Sequence, residues 1–287
     1  MSARALRRLG DRAVRLASEL TGEDIDARIA TIQTVRSETG HDPFGFDPDT
    51  SRYMLAVTTI LHRRYFRTEV TGIEALPPGR VMLVANHSGQ LPLDGMMIAT
   101  ATMLDADPPR FARTTVEKWT AELPFVSYIF PRTGQIVGSP ENARRLLQQE
   151  QALVAFPEGV HGIVKTFDQR YQLMEFGLGF MRLALETDTP IVPVAVIGAE
   201  EQYPSIANVR PLAKLLGVPA FPIVPQLLFG MLAPLPTKYH LRFGEPMRFS
   251  GHPDDDDAEI GKHVWVVKTA IEAMLQEGLD ARESVFF

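Results

Sequence analysis

The feature that most constrains the fold is a regular alternation of short β-rich runs with helical stretches, which starts at Val81. The β-rich runs are VMLVAN, RFARTTV, ALVAF, PIVPVAVIG and YHLRFG, and the helical patterns cover 94–104, 140–149 and 171–187. This alternation is typical of crossover units on a buried, mainly parallel sheet. We therefore predict an α/β fold with a mainly parallel central sheet flanked by helices over residues 67–287. A helical region over residues 1–66 is expected to precede it.

The N-terminal region carries the pattern of a basic amphipathic helix. Its apolar residues recur at helical spacing with arginines on the opposite side; the apolar set is Leu6, Leu9, Ala13, Leu16, Ala17 and Leu20, and the arginines are Arg4, Arg7, Arg8, Arg12 and Arg15. Such a helix can lie on anionic lipid, or it can pack on its own domain with a solvated arginine face. The turn-rich stretch Gly40–Thr50 follows, and Tyr53–Phe66 resumes a helical pattern.

Composition removes several classes of function. The net charge of -6 argues against general nucleic-acid binding, which needs a basic face. The chain has no cysteine, so disulfides, thiolate metal sites and cysteine nucleophiles are excluded. We see no apolar run of about 20 residues and no signal-peptide pattern. We expect a cytoplasmic protein that associates peripherally with a membrane surface.

The loop after the first β-rich run carries a histidine and an aspartate. In LVANHSGQLPLDG, His87 follows the apolar run directly, and Asp94 starts the next helical stretch. Open α/β folds bind ligands in loops beyond the carboxyl edge of the sheet. If this loop folds back, Asp94 can orient the imidazole so that its other nitrogen takes a proton from an alcohol. Because the motif G-x-S-x-G is absent, direct attack by a substrate hydroxyl is favoured over a serine nucleophile, and a purely structural histidine is the alternative.

A second apolar run ends in LVAFPEGVHG, which places Glu158 at the same edge. A carboxylate there can fix the hydroxyls of a polyol, or it can cap a helix. Three basic residues can hold a phosphate or can equally be surface charges, namely Arg132, Lys165 and Arg170. In the next run, PIVPVAVIGAEE, Pro193 predicts a position near the sheet edge or at a bulge.

Between Tyr203 and Pro236 the chain is apolar but irregular. GVPAFPIVPQLLFGMLAPLP contains five prolines, which prevent a continuous helix or a central strand. The pattern fits an apolar loop bordering a lipid or acyl site, and it fits a loop folded into the core equally well. The acidic run PDDDDAE suits the N-terminus of a helix over about 256–277 better than a metal site.

Four of these stretches, in this order, resemble the signature blocks of one enzyme superfamily. NHSGQLPLDG, GQIVGSPENARRLL, LVAFPEGVHG and PIVPVAVIGAEE are similar to the four blocks of the glycerolipid acyltransferases, which include the lysophosphatidate and glycerol-3-phosphate acyltransferases. The resemblance extends from about Val81 to Glu201. Six residues separate His87 from Asp94 where four are usual. The sequences HSGQLPLDG and VGSPENA are more similar to those of the branch that includes neutral-lipid and diacylglycerol-type enzymes.

The resemblance implies an O-acyltransferase of glycerolipid and phospholipid biosynthesis. Acyl-CoA or acyl carrier protein would be the co-substrate, without a further cofactor, and a lipid at a membrane surface would be the acceptor. His87 is implied as general base and Asp94 as its orienting partner. The residues implied in substrate binding are Arg132, Phe156, Pro157, Glu158 and Gly159, with Lys165 as a further candidate. The long first block leaves open whether the acceptor bears a phosphate.

Other classes of protein fit the same residues. A thioesterase or lipid esterase would use the His–Asp pair to activate water, and a non-catalytic lipid-binding protein would keep the scaffold without the chemistry. A metal enzyme is a third alternative, with His87, Asp94, Glu158 and His161 as ligands. Gly159 and the proline before Glu158 disfavour it, because they prevent the regular helix that such sites use.

Overall fold

A computed structural model describes residues 3–32, 42–87, 93–116, 118, 123–216 and 221–287. The helices are α1 (Ala3–Thr21), α2 (Ile25–Ala30), α3 (Pro48–Ile60), α4 (Leu93–Leu104), α5 (Val126–Arg132), α6 (Pro140–Gln148), α7 (Val160–Ile163), α8 (Gly179–Thr187), α9 (Arg210–Leu216), α10 (Pro225–Leu228) and α11 (Asp257–Ala281). The strands are β1 (Glu69–Thr71), β2 (Val81–Ala85), β3 (Ala112–Val116), β4 (Ile136–Val137), β5 (Ala152–Ala155), β6 (Ile191–Ile197), β7 (Ala207–Asn208), β8 (Pro222–Ile223) and β9 (His240–Phe243). The chain divides into a first unit, over 1–67, 77–81 and 96–154, and a second unit, over 68–76, 82–95 and 155–287.

The first unit combines the N-terminal helices with three parallel strands. Strand β3 pairs in parallel with both β4 and β5. Helix α3 begins where the Asp47 side chain accepts a hydrogen bond from Thr50 N and Pro48 occupies the first helical position. The apolar core of the helices consists of Val14, Ala17, Ile25, Leu55, Ala56 and Met103.

Helix α1 packs with a different face from the one its leucines predict. Val14 and Ala17 are buried, and the helix packs on α3. The approach is close, since a Cβ on Gly10 would come within 2.5 Å of the Tyr53 ring. The leucines remain at the surface with exposed fractions between 44% and 54%, and they are Leu9, Leu16 and Leu20. Of the predicted apolar set, Ala17 is thus packed and these leucines are not, so small residues form the packed face and the leucines form a separate exposed one.

The second unit contains strands in the order β1, β9, β6, β2. β1 pairs in parallel with β9, and β6 pairs in parallel with β2, whereas β6 and β9 are antiparallel. All seven residues of β6 are buried, and α11 packs on this strand. The Asp256 side chain accepts a hydrogen bond from Glu259 N at 2.8 Å and caps α11, so the acidic run begins a helix as predicted.

The helix predicted over 171–187 begins only at Gly179. Tyr171 has a φ of 62°, outside the helical region. The Met174 amide donates to the Glu158 carboxylate at 2.8 Å instead of to a helical carbonyl. A long-range contact therefore overrides the apolar periodicity over the first half of this stretch.

Pro193 was predicted to lie near the sheet edge or at a bulge, and the edge position is wrong. Strand β6 has β2 on one side and β9 on the other. The Pro193 carbonyl accepts from Gly244 N at 2.8 Å, and the pairing with β9 starts one residue later, at Val194 and Phe243. A proline at the end of a ladder forfeits fewer strand hydrogen bonds than one in its middle.

The pairings and the flanking helices make the fold α/β with a mainly parallel sheet, as predicted. Among the described residues, no helix is both long enough and apolar enough to cross a bilayer. The boundary predicted between residues 66 and 67 stays a prediction.

Candidate active site

The end of β2 is fixed by Asn86, a buried residue that the sequence analysis did not single out. Its Nδ2 donates to the Val196 carbonyl at 3.0 Å, and its Oδ1 accepts from Val196 N at 2.8 Å. A buried amide satisfied in this way ties the strand end to β6 and sets the point at which His87 leaves the sheet. The sequence feature that could have indicated Asn86 is a polar residue directly after a wholly apolar run.

His87 and Asp94 form a hydrogen-bonded pair. His87 Nδ1 lies 2.8 Å from Asp94 Oδ2, and Asp94 Oδ1 accepts from Gly95 N at 2.8 Å. The Asp94 side chain is fully buried, and the His87 side chain is 14% exposed. An ionised carboxylate can only accept a hydrogen bond, so a neutral imidazole paired with it would carry its hydrogen on Nδ1 and have an unprotonated Nε2. Residues 88–92, the predicted turn between the pair, lie outside the described residues.

Two residues of the second block fit closely against His87. The Phe156 ring stacks on the imidazole with centroids 4.2 Å apart and an angle of 24° between the planes. A Cβ on Gly162 would come within 2.7 Å of His87 Cβ, so only glycine lets α7 approach this closely. Together they restrict the orientation of the ring.

The Phe156–Gly159 segment forms a tight turn. Gly159 N donates to the Phe156 carbonyl at 3.0 Å, and Gly159 has a φ of 53°, which favours glycine. The Pro157 carbonyl accepts from Gly177 N at 3.0 Å. The turn is thereby fixed to the irregular segment that precedes α8.

Glu158 is buried, and both of its carboxylate oxygens accept backbone hydrogen bonds. Oε1 accepts from His87 N at 2.8 Å, and Oε2 accepts from Met174 N at 2.8 Å. Glu158 thus connects the His87 backbone with the segment before α8. Carboxylate bonds to backbone N–H groups are among the stronger hydrogen bonds in proteins.

Lys165 lies between two buried carboxylates. Its Nζ is 2.9 Å from Glu200 Oε1 and 3.5 Å from Glu158 Oε2, and it also donates to the Gln172 carbonyl at 3.3 Å. Burial raises the pKa of Glu200 to about 7, although the positive charge of Lys165 opposes the increase. The sequence analysis did not identify Glu200. Two consecutive glutamates at the end of the apolar stretch PIVPVAVIGAEE could have indicated it.

The two candidate arginines interact with neighbouring aromatic rings. Arg132 belongs to the first unit, where its guanidinium lies 3.6 Å from the Tyr128 ring centroid and donates to the Tyr128 carbonyl at 2.8 Å. Arg170 lies 4.4 Å from the Phe167 ring centroid and donates to the Phe167 carbonyl at 3.0 Å. His161 is exposed on α7. In the part of the chain that the structure describes, no three acidic or imidazole side chains form a metal-binding group.

Comparison with known proteins assigns the family. Residues 67–197 match the family model described as Acyltransferase. An uncharacterized protein of Mycobacterium tuberculosis is 34% identical over 287 residues, which cover 94% of this chain and 80% of that protein. The 1-acyl-sn-glycerol-3-phosphate acyltransferase alpha of Homo sapiens is 30% identical over 158 residues, which cover 50% of this chain and 51% of that protein. The chain belongs to the glycerolipid acyltransferase superfamily.

The structure of this acyltransferase is similar to a solved structure of the same superfamily. The crystal structure of the 1-acyl-sn-glycerophosphate acyltransferase PlsC from Thermotoga maritima matches with a TM-score of 0.51 and 16% identity, over 98% of this chain and 99% of that one. At this identity the likeness concerns the fold. The predicted superfamily is confirmed, whereas the closer resemblance to the neutral-lipid branch stays a prediction.

Proposed function

We propose that this acyltransferase moves an acyl group from acyl-CoA or acyl carrier protein to a hydroxyl group of a glycerolipid or related lipid. The observation that carries the proposal is the 2.8 Å contact between His87 Nδ1 and Asp94 Oδ2 within the matched family region. It orients an accessible imidazole for proton transfer. The name of the human relative suggests a lysophosphatidate acceptor, and the same chemistry suits a neutral lipid.

In the proposed reaction, His87 Nε2 takes the proton of the acceptor hydroxyl as its oxygen attacks the thioester carbonyl. Asp94 stabilises the imidazolium that forms. The tetrahedral intermediate then expels the thiolate, which receives the proton from His87. The new ester bond replaces the carbon–sulfur bond, and because a thioester is already activated, neither an acyl-enzyme nor a cofactor is required.

A thiol-release assay with a panel of acceptors tests the proposal. The arms contain glycerol 3-phosphate, lysophosphatidate, monoacylglycerol, diacylglycerol, a long-chain alcohol or no acceptor, each with acyl-CoA and with acyl carrier protein as donor. We expect release that depends on one acceptor, with the matching ester as product. Equal release of free fatty acid without acceptor would identify a thioesterase, and donor binding without turnover in every arm would identify a lipid-binding protein. The phosphate-bearing and neutral arms also show whether the acceptor carries a phosphate, which the role predicted for Arg132 requires.

A lipid acceptor requires contact with a membrane surface, and α1 is the proposed site of this peripheral association. Its exposed leucines share the helix surface with exposed arginines, and the residues are Leu9, Leu16 and Leu20 with Arg8, Arg12 and Arg15. Such surfaces bind anionic lipid. We expect the Leu9→Gln/Leu16→Gln double variant to float less with anionic vesicles, and equal flotation would contradict the role of α1. Deleting the helix is a poorer test, because Val14 and Ala17 belong to the core.

A further inference from the structure

An exposed apolar turn lies in the proline-interrupted segment of the second unit. We define it as residues 227–232, with Leu227, Phe229, Met231 and Leu232 as its exposed side chains. Phe229 is 82% exposed and Leu232 is 78% exposed. Single exposed apolar residues are ordinary, whereas several large ones in one short turn are typical of interaction surfaces.

Buried polar side chains hold the apolar turn in place. Gln226 is buried, and its Nε2 donates to the carbonyls of Gln202 at 3.2 Å and Ala233 at 3.1 Å. The hydroxyl of the buried Tyr203 donates to the Leu232 carbonyl at 2.7 Å. Both ends of the turn are therefore anchored, and its apolar side chains are presented by a fixed backbone.

The charge around the apolar turn differs from that of the whole chain. The sequence from Tyr203 to Lys238 contains no aspartate or glutamate, and its charged residues are Arg210, Lys214 and Lys238, whereas the whole chain has a net charge of -6. Of these, Lys238 is paired with Glu69. The Lys214 side chain is exposed. An apolar protrusion in a segment without negative charge is complementary to an anionic lipid surface.

We propose that the apolar turn inserts into the surface of an anionic membrane. The proposal deepens the proposed function, because it names a second lipid contact on the unit that carries His87. The anchor residue Gln202 follows directly on the helical turn Ala199–Glu201, in which Glu200 pairs with Lys165. One short segment thus connects the membrane-inserting turn with the buried cluster beside His87, and insertion would set the position of the imidazole relative to the lipid.

A site-specific fluorescent label tests insertion directly. Because the chain has no cysteine, Leu232→Cys provides a unique attachment point for a polarity-sensitive dye. Trp265→Cys on α11 is the matched control, since Trp265 is also apolar and 66% exposed. With phosphatidylglycerol vesicles we expect a blue shift at position 232 and none at 265, and a weaker shift at 232 with phosphatidylcholine vesicles.

The affinity for vesicles provides a second measurement. We expect Phe229→Gln/Leu232→Gln to weaken binding to phosphatidylglycerol vesicles by about ten-fold or more, because two apolar side chains leave the lipid, whereas Trp265→Gln retains the original affinity. Unchanged melting temperatures would show that the fold is intact. Vesicle binding without a shift at position 232 would overturn the proposal. A shift that depends on protein concentration without vesicles would also overturn it and would indicate contact with a second copy. These measurements use no substrate, so they remain interpretable if the acyl-transfer assay fails.

Discussion

In the described part of the chain, His87 with Asp94 and His62 with Asp105 form side-chain hydrogen bonds of similar length in different surroundings. His87 Nδ1 lies 2.8 Å from Asp94 Oδ2, and His62 Nε2 lies 2.9 Å from Asp105 Oδ2. The His87 ring is partly accessible, whereas His62 is fully buried and its aspartate also pairs with Arg63. The two pairs thus consist of the same residue types but differ in solvent accessibility and in neighbouring charge.

The difference shows that a histidine–aspartate distance does not by itself make a general base. Burial opposes ionisation of Asp105, yet the hydrogen bonds and charges of His62 and Arg63 hold its pKa below the usual value. His62 Nδ1 is buried and has no hydrogen-bond partner within the described part of the chain. Because this nitrogen is buried, we infer a structural role for the His62 pair and keep the catalytic role proposed above for His87.

Replacing each histidine gives the largest expected contrast. His87→Ala should lower kcat roughly 100-fold to 10,000-fold, because the general base is lost, with little change in melting temperature. His62→Ala should retain kcat per folded molecule and lower the free energy of unfolding by about 1–3 kcal/mol, because it leaves a buried partner unsatisfied. Thiol release and thermal unfolding measure the two effects. Near-normal turnover in the His87 variant would remove the proposed mechanism.

Replacing each aspartate separates orientation from stability. Asp94→Asn places an amide donor opposite His87 Nδ1 and favours the tautomer that cannot accept at Nε2, so kcat should fall within the same roughly 100-fold to 10,000-fold range. Asp105→Asn should leave kcat unchanged and reduce stability. An unchanged rate with a normal pH profile in the first variant would show that Asp94 only caps α4.

The sequence predicted those parts of the fold and site that depend on local patterns. Continuous apolar runs correspond to the buried strands β2 and β6, because a strand covered on both faces needs no alternation. His87 and Asp94 could be singled out because they are close in sequence and belong to a recognisable block.

The features that the sequence did not predict depend on contacts between distant residues. The late start of α8 follows from the bond between Met174 and Glu158, and the packed face of α1 follows from close contact with Tyr53. The partnership of Glu200 with Lys165 spans 35 residues. Periodicity describes how apolar a face is, but it does not describe which neighbour that face meets.

Glu158→Gln sharpens the comparison, because Glu158 fixes the backbone of His87. The side-chain oxygen of a glutamine can still accept from His87 N, but its NH2 group cannot accept from Met174 N. We expect kcat to fall about ten-fold to 100-fold with little change in the acceptor KM, as for the loss of a charged hydrogen bond. Glu175→Gln, on an exposed residue of the same segment, is the matched control. A raised KM with unchanged kcat would instead support the direct acceptor contact implied by the family resemblance.

The pH dependence of stability gives the smallest expected effect and distinguishes the two regions by sign. The pKa of Glu200 rises from 4.5 to about 7 on folding, so the folded state binds the proton more tightly and stability falls as pH rises between these values. The slope is at most about 1.4 kcal/mol per pH unit. Glu200→Gln should remove this pH dependence, so its free energy of unfolding should increase relative to that of the parent chain as pH rises.

Asp105 is expected to show the opposite trend. Its pKa is lowered, so the stability that the ionised carboxylate contributes is lost as pH falls. The free energy of unfolding of Asp105→Asn should therefore decrease relative to that of the parent chain as pH rises. Urea midpoints between pH 4 and 8 measure the Glu200 trend, and an extension down to about pH 2 measures the Asp105 trend, because a lowered pKa acts below the unfolded value. Trends of the same sign would show that the two carboxylates are not in opposite electrostatic environments.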